Sequence, residues 1–367
     1  MGAVGCGPGG TLDRSTSMLL RLKNDLRPQD LDQLVRVCGD LGFEAAPVQD
    51  GGGLWRLAPR PGAALGPEVR SRLEDHFAVA GIVGSVEASE LHQRTPGGAD
   101  TVVRVGDAVF GGGTAALIAG PCAVESEETL LTAARRVRAA GATLLRGGAC
   151  KPRSSPYSFQ GLGREGLELL QRVGREVGLA TVTEVLEPGD VEPMLDLCDM
   201  FQVGSRNMSN SPLLREVARS GKPVLLKRGM SATAREFLLA AEYLLAGGND
   251  QVVLCERGIR GFDKATRNVL DVGTVAHLKG ATHLPVIVDP SHAAGRADLV
   301  RPLARSGIAV GADGLIVEVH PDPVHALSDA DQAILPDTFD AIAADVRGLL
   351  ALDGRALAEP TPLTVPS

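Results

Sequence analysis

The chain has 367 residues, with 45 Asp and Glu against 37 Lys and Arg and a formal net charge of −8. Its 44% hydrophobic and 22% charged residues are ordinary for a globular protein of about two domains, and the acidic balance argues against wrapping nucleic acid. No apolar run reaches the roughly 18 residues of a membrane span, residues 1–17 lack the basic start and apolar stretch of a secretory signal, and six scattered cysteines with no C-x-x-C pair argue against a disulfide scaffold and for a reducing cytoplasm.

Residues 1–17 are Gly-rich and patternless and are expected to form a disordered tail. From 18 to 90 the pattern predicts a small α+β domain. MLLRLK (18–23) is a strand, and RPQDLDQLVRVCGDLGF (27–43) carries Leu31, Leu34, Val35, Cys38 and Leu41 on one helical stripe. Two strands follow within EAAPVQDGGGLWRLAP, joined by the glycines at 51–53. GPEVRSRLEDHFAVA then gives a second helix and GIVGSVEA (81–88) a closing strand. The order β-α-β-β-α-β is ferredoxin-like. Such units bind effectors, mediate subunit contacts or serve as structural appendages, and these residues do not choose among the three.

Residues 91–113 are expected to be a linker and entry to a second domain, 114–353. There eight apolar runs recur: TAALIAG, ATLLRGG, LATVTEV, MFQVGSR, PVLLKRG, QVVLCERG, LPVIVDP and GADGLIVEV. Helical patterns such as EETLLTAARRVRAAG and LELLQRVGREVG alternate with them, each closing on Gly. Strands that are apolar throughout are buried on both faces, as in a parallel sheet. Eight βα units over this length predict a closed (β/α)8 barrel, with an open doubly wound sheet as the alternative. The Pro-rich close, 354–367, is expected to be a second flexible tail.

In such a barrel the chemistry gathers where the strands end at their C-termini. Those ends deliver, in order, Cys122, Arg146 with Lys151, Glu184, Arg206, Lys227 with Arg228, Arg257, Asp289 with His292, and Glu318. Six cations, Arg146, Lys151, Arg153, Arg206, Lys227 and Arg257, suit a substrate set with several negative charges, such as two phosphates and a carboxylate. Cys122, His292, Glu318 and Asp329 form a mixed S/N/O set suited to a divalent transition metal. Cys122 stands between Gly120-Pro121 and VESEE, where a metal or a helix N-terminus would stabilise a thiolate.

The stretches IAGPCAVES (118–126), KPRSSPYSFQGLG (151–163), QVGSRNMSN (202–210), LLKRGM (225–230), CERGIRGFDKATRNVLDV (255–272), VDPSHAAGR (288–296) and GLIVEVHPDPVHALSD (314–329) resemble, in order, the 3-deoxy-D-arabino-heptulosonate 7-phosphate (DAHP) synthases of the bacterial type with an N-terminal ferredoxin-like domain. The resemblance implies a divalent metal, manganese first and iron, cobalt or zinc as alternatives, held by Cys122, His292, Glu318 and Asp329. It implies phosphoenolpyruvate among Arg146, Lys151, Arg206, Lys227 and Arg257, and erythrose 4-phosphate near Arg153 and Ser154. Lys151 and Glu184 are the candidates for proton or water handling, with Glu184 equally readable as an ion-pair partner of the cations. An aromatic amino acid, Tyr or Phe, as inhibitor at the N-terminal domain and a homotetramer or homodimer are further implications.

Ser154 stands where the family more often has Thr, and the DADQAI stretch after Ser328 departs from the family's usual wording. Three competing readings are weaker. The sister 3-deoxy-D-manno-octulosonate 8-phosphate synthases, which use arabinose 5-phosphate, typically read Lys-Ala-Asn-Arg-Ser where this chain has Lys-Pro-Arg-Ser. The formal G-x-G-x-x-G at 161–166 lacks the preceding strand of a dinucleotide site. A non-catalytic barrel subunit would lack a ligand or a phosphate cation, and none is missing.

Overall fold

The computed structural model describes residues 17–23, 26–48, 53–60, 63, 67–86, 91–94, 98–151, 157 and 159–363. The expected N-terminal tail lies outside these residues except for Ser17. The chain divides into two compact units, Met1–Leu91 and His92–Ser367.

In the first unit the elements run β1 (Ser17–Leu22), α1 (Pro28–Asp40), β2 (Phe43–Pro47), β3 (Leu54–Pro59), α2 (Pro67–Glu74) and β4 (Val79–Val86). Proline at the first position of α1 starts that helix without a lost hydrogen bond. The strands pair antiparallel in the order β2-β3-β1-β4, the ferredoxin-like topology. Leu34 and Cys38 of α1 bury against Leu20, Phe43 and Leu57 of the sheet, as the helical stripe requires. Val35, at the edge of that stripe, is exposed.

The second unit opens with a hairpin, β5 (Val103–Val105) and β6 (Ala108–Phe110). Strands β7 (Thr114–Gly120), β8 (Leu144–Arg146), β9 (Ala180–Val185), β10 (Met200–Val203), β11 (Val224–Lys227), β12 (Val252–Glu256), β13 (Val286–Val288) and β14 (Gly314–Glu318) follow. They coincide with the eight apolar runs of the sequence. Neighbours pair in parallel along the whole series, and β14 pairs with β7 from Gly314↔Ala116 to Glu318↔Gly120. That last pairing closes the barrel and excludes the open sheet. Around it run α3 (Glu127–Ala140), α4 (Gly163–Val177), α5 (Val191–Met194), α6 (Ser211–Arg219), α7 (Ala234–Ala246), α8 (Val272–Ala281), α9 (Pro290–Ala294), α10 (Ala297–Ala309) and α11 (Pro336–Leu352). Helix α3 is capped by the Ser126 side chain at one end and by left-handed Gly141 at the other.

Two expectations are corrected here. Residues 103–110, read as linker, bury Val103, Val105, Ala108 and Phe110 in one cluster with the inward residues Ala116, Ile118, Leu144, Val182, Met200, Leu225, Val253, Cys255, Ile287 and Ile316. A barrel needs something to cover its apolar interior, and this hairpin supplies part of that cover. Residues 354–363, read as a flexible tail, instead carry β15 (Ala356–Leu357), which pairs in parallel with Thr114–Ala115. Ala358 joins the same cluster, and Glu359 pairs with Arg347 at 2.8 Å. Residues 364–367 lie outside the described residues.

Phe110 is fully buried. Phe110→Ala is therefore expected to cost about 3–5 kcal/mol of the barrel unit's stability, seen as a lower urea midpoint by circular dichroism. A mere linker residue would leave the midpoint where it was.

Candidate active site and metal centre

Side chains of a strand alternate between its two faces, so a residue two places beyond an inward one is also inward. Two places beyond Leu144, Val182, Met200, Leu225, Cys255, Ile287 and Ile316 stand Arg146, Glu184, Gln202, Lys227, Arg257, Asp289 and Glu318. The inward face thus changes from apolar to polar at the same level on seven strands. On the eighth, Ile118 is followed by Gly120 and then Cys122. The adjacent Arg228 belongs to the other face, where its Nη1 donates to Glu256 at 2.7 Å and Asp271 at 3.0 Å. Arg228, expected on the rim, is a structural ion-pair residue.

The inward charges pair with one another. Nζ of Lys227 donates to Oδ2 of Asp289 at 2.6 Å, and both are buried. Nη2 of Arg146 donates to Oε1 of Glu318 at 3.0 Å, while its Nε and Nη1 are buried with no hydrogen-bond partner among the described residues. Among the described residues, Nη1 of Arg257 donates to the carbonyl of Gly258, at 3.4 Å. Burial pulls Arg257 below the ordinary arginine value, and Asp289 offsets this only in part. Glu184 accepts from Gln202 at 3.4 Å and lies against Gly204, where any side chain would collide with the carboxylate. Arg206 is exposed on the 3-10 turn Ser205–Asn207 after β10. Arg153 and Ser154 lie outside the described residues.

Beside these cations, Cys122, Glu318 and Asp329 bring ligand atoms within 4.8 Å of one another. The fourth expected ligand, His292, is not in that set of three, but its Nε2 stands 3.4 Å from Oε1 of Glu318. Its Nδ1 lies 2.8 Å from Oδ2 of Asp289, though off the line of a hydrogen bond, and its backbone N–H donates to Oδ1 at 2.9 Å. Burial holds His292 below the ordinary histidine value, which favours the neutral, ligating form. Burial pushes the Glu318 carboxyl up, but His292 and Arg146 bring it below the ordinary value; Asp329 is also held low, by Cys122, His292 and Arg267 against burial.

Cys122 behaves differently. Burial pushes its thiol up to about 12, with Glu318 adding to the shift and Lys151 opposing it. Helix α3 begins only at Glu127, which leaves a metal, the other expected source of thiolate stabilisation. Lys151 donates from Nζ to Sγ at 3.0 Å and to the carbonyl of Cys122 at 2.8 Å; a side chain at Gly148 would strike both Lys151 and that carbonyl. A divalent cation ionises a coordinating thiol outright. One sulfur and two ionised carboxylates gathered at this spacing, with an imidazole beside Glu318, fit such an ion.

Residues 92–350 match the DAHP synthetase I family. The chain belongs to that family. It is similar to the phospho-2-dehydro-3-deoxyheptonate aldolase of Thermotoga maritima, 46% identical over 281 residues that cover 77% of this chain and 83% of the relative. The crystal structure of the Thermotoga maritima DAHP synthase superposes with a TM-score of 0.72 at 39% identity, covering 93% of this chain and 99% of that one. A 2-dehydro-3-deoxyphosphooctonate aldolase of Acidithiobacillus ferrooxidans is 35% identical over 59% of this chain and 83% of its own.

Sequence reading missed Gln332 and Arg267. Both touch the carboxylates of the metal set, and neither lies on a strand end. Asp289 was noted on the rim, but its pairing with Lys227 carries no signal in sequence spacing.

Burial pushes the Asp289 carboxyl up, yet His292 and Lys227 hold it well below the ordinary carboxylate range. A carboxylate so depressed stabilises the fold above its unfolded pKa of about 4 and loses that contribution as pH falls through its folded value. In Lys227→Met the carboxylate stays buried without its partner, at a cost of about 3–5 kcal/mol. Melting curves of the metal-free variant are expected to show the acid-side loss of stability beginning at a higher pH than in wild type.

Proposed function

We infer that the chain condenses phosphoenolpyruvate with erythrose 4-phosphate and water to give DAHP and phosphate, the first step of the shikimate pathway to aromatic amino acids. The observation that carries this reading is Arg146. Its buried guanidinium grips Glu318 of the metal set with one nitrogen and keeps two others without partners among the described residues. A group so placed, beside buried Lys227 and Arg257, suits an anion bound next to the metal.

Cys122, His292, Glu318 and Asp329 would hold the divalent ion, manganese first, with iron, cobalt or zinc as alternatives. When bound it supplies Lewis acidity toward the aldehyde oxygen. The chain's own residues do the rest. Arg146, Lys151, Arg206, Lys227 and Arg257 bind the phosphate and carboxylate of phosphoenolpyruvate, and Arg153 and Ser154 bind erythrose 4-phosphate. Holding both anions together offsets their repulsion and brings C3 of phosphoenolpyruvate against C1 of the aldehyde. Water adds at C2, and phosphate leaves with the bridging oxygen by C–O cleavage. Lys151, with its ammonium against Cys122, can hand a proton to the new hydroxyl. Glu184, close to the ring of cations, can orient the water or hold the cations in place.

Inhibition by Tyr or Phe at the first unit, assembly as a homotetramer or homodimer, and a cytoplasmic setting belong to the same reading and rest on the family resemblance. Consistent with the last, no helix among the described residues is long and apolar enough to cross a membrane.

Purified protein with manganese is expected to consume phosphoenolpyruvate, followed by its absorbance, with erythrose 4-phosphate and not with arabinose 5-phosphate; a chelator abolishes the loss. Consumption with arabinose 5-phosphate instead would move the chain to the octulosonate branch. In Arg206→Ala the Michaelis constant for phosphoenolpyruvate is expected to rise about tenfold or more, as for a lost charge-assisted contact of 1.5–3 kcal/mol. An unchanged constant would remove Arg206 from the site.

A further inference from the structure

The two carboxylates of the metal set each divide their oxygens between two neighbourhoods. Glu318 turns Oε1 toward Arg146 and His292, while its Oε2 accepts from Nε2 of Gln332 at 2.6 Å. Asp329 turns Oδ2 toward Sγ of Cys122 at 3.0 Å, while its Oδ1 accepts from Nη1 of Arg267 at 3.1 Å. The same Nη1 donates to Oε1 of Gln332 at 2.9 Å. An amide whose oxygen is engaged by an arginine can offer only its NH2 to the next group. Arg267 therefore fixes which way Gln332 faces, and Gln332 fixes Glu318.

The backbone agrees with this arrangement. Asp329 and Gln332 stand at the two ends of one tight turn in the loop after β14, and the Gln332 N–H donates to the Asp329 carbonyl at 3.2 Å. Among the described residues Asp329 is the one non-glycine with a positive φ, 51°. A side-chain-bearing residue in that region needs its surroundings to hold it there, and Arg267, from the loop after β12, does so through Oδ1.

We propose that Gln332 and Arg267 are positioning residues for the metal centre. They keep one oxygen of Glu318 and one of Asp329 away from the ion, so that each ligates through a single oxygen, Oε1 and Oδ2, and they set how tightly a divalent ion is held. This rests on the metal reading above. A carboxylate free of such partners can chelate through both oxygens or swing aside, and partners of this kind govern metal affinity by about 10–100-fold. Gln332 is 1% exposed, whereas the Arg267 side chain is 44% exposed. Water can replace the second link more easily than the first.

Titration of cobalt(II) into the metal-free full-length protein, read by the absorbance of cobalt-bound thiolate, tests this. Gln332→Leu is expected to weaken cobalt binding about 10–100-fold, and Arg267→Ala by less, with Arg267→Lys recovering part of that loss. Phe110→Ala, a destabilising change in the β5–β6 hairpin away from the metal set, keeps wild-type affinity. Wild-type affinity in both Gln332→Leu and Arg267→Ala, or an equal loss in Phe110→Ala, overturns the proposal. Should Gln332→Leu fail to fold, the half-exposed Arg267→Ala decides alone. Cys122→Ser separates the two levels: loss of the band there upholds the metal centre, whereas unchanged binding and spectrum would remove it and the proposal together.

Discussion

A closed parallel barrel forces its inward side chains into one small space, and here the last inward position of seven strands is polar. Arg146, Lys227, Arg257, Asp289 and Glu318 are all buried there. An isolated buried charge costs several kcal/mol, so these groups persist only because each sign finds the other within reach. Lys227 answers Asp289, and Arg146 answers Glu318. The pairing is incomplete: among the described residues, two nitrogens of Arg146 have no hydrogen-bond partner and Arg257 has no hydrogen bond to a carboxylate. On the proposed reading, a bound phosphate ester and carboxylate would complete it, and a divalent ion would complete the Cys122, His292, Glu318 and Asp329 set.

The rest of the second unit keeps that space in shape. The β5–β6 hairpin and Ala358, just after β15, cover apolar residues of the barrel interior, so the charged layer lies at one end of the strands and an apolar layer beneath it. Substrate cations and metal ligands come from different strands, yet share contacts at Arg146–Glu318 and Lys151–Cys122. On the proposed reading, those two contacts would put the anion of one substrate beside the metal that polarises the other, as a carbon–carbon condensation between two anions demands.

The eight strands were legible in the sequence because strands buried on both faces read as apolar runs, and Gly-terminated helices separate them. The hairpin at 103–110 and the strand at 356–357 were not. Each is too short for a period-two pattern, and each is defined by what it covers, not by its own alternation. Cys122, His292, Glu318 and Asp329 were readable as a chemical set, and the family resemblance implied the same four. The sequence left open whether a metal or a helix N-terminus would stabilise a Cys122 thiolate; helix α3 starts only at Glu127, and the sulfur is buried. Lys227 and Arg228 read alike as neighbours, but strand alternation sends one to the site and the other to Glu256. Gln332 and Arg267 escaped notice because they act on ligands and not on substrates, across 65 positions of sequence.

The central claim is that the buried cations grip phosphoenolpyruvate so that its carbon reacts and its phosphorus does not. Phosphoenolpyruvate labelled with oxygen-18 in the C–O–P bridge tests it, with erythrose 4-phosphate, manganese and the full-length protein, and with both products read by mass spectrometry. The account predicts the label in inorganic phosphate and an unlabelled seven-carbon product. Label retained in the organic product would show cleavage at phosphorus and contradict it.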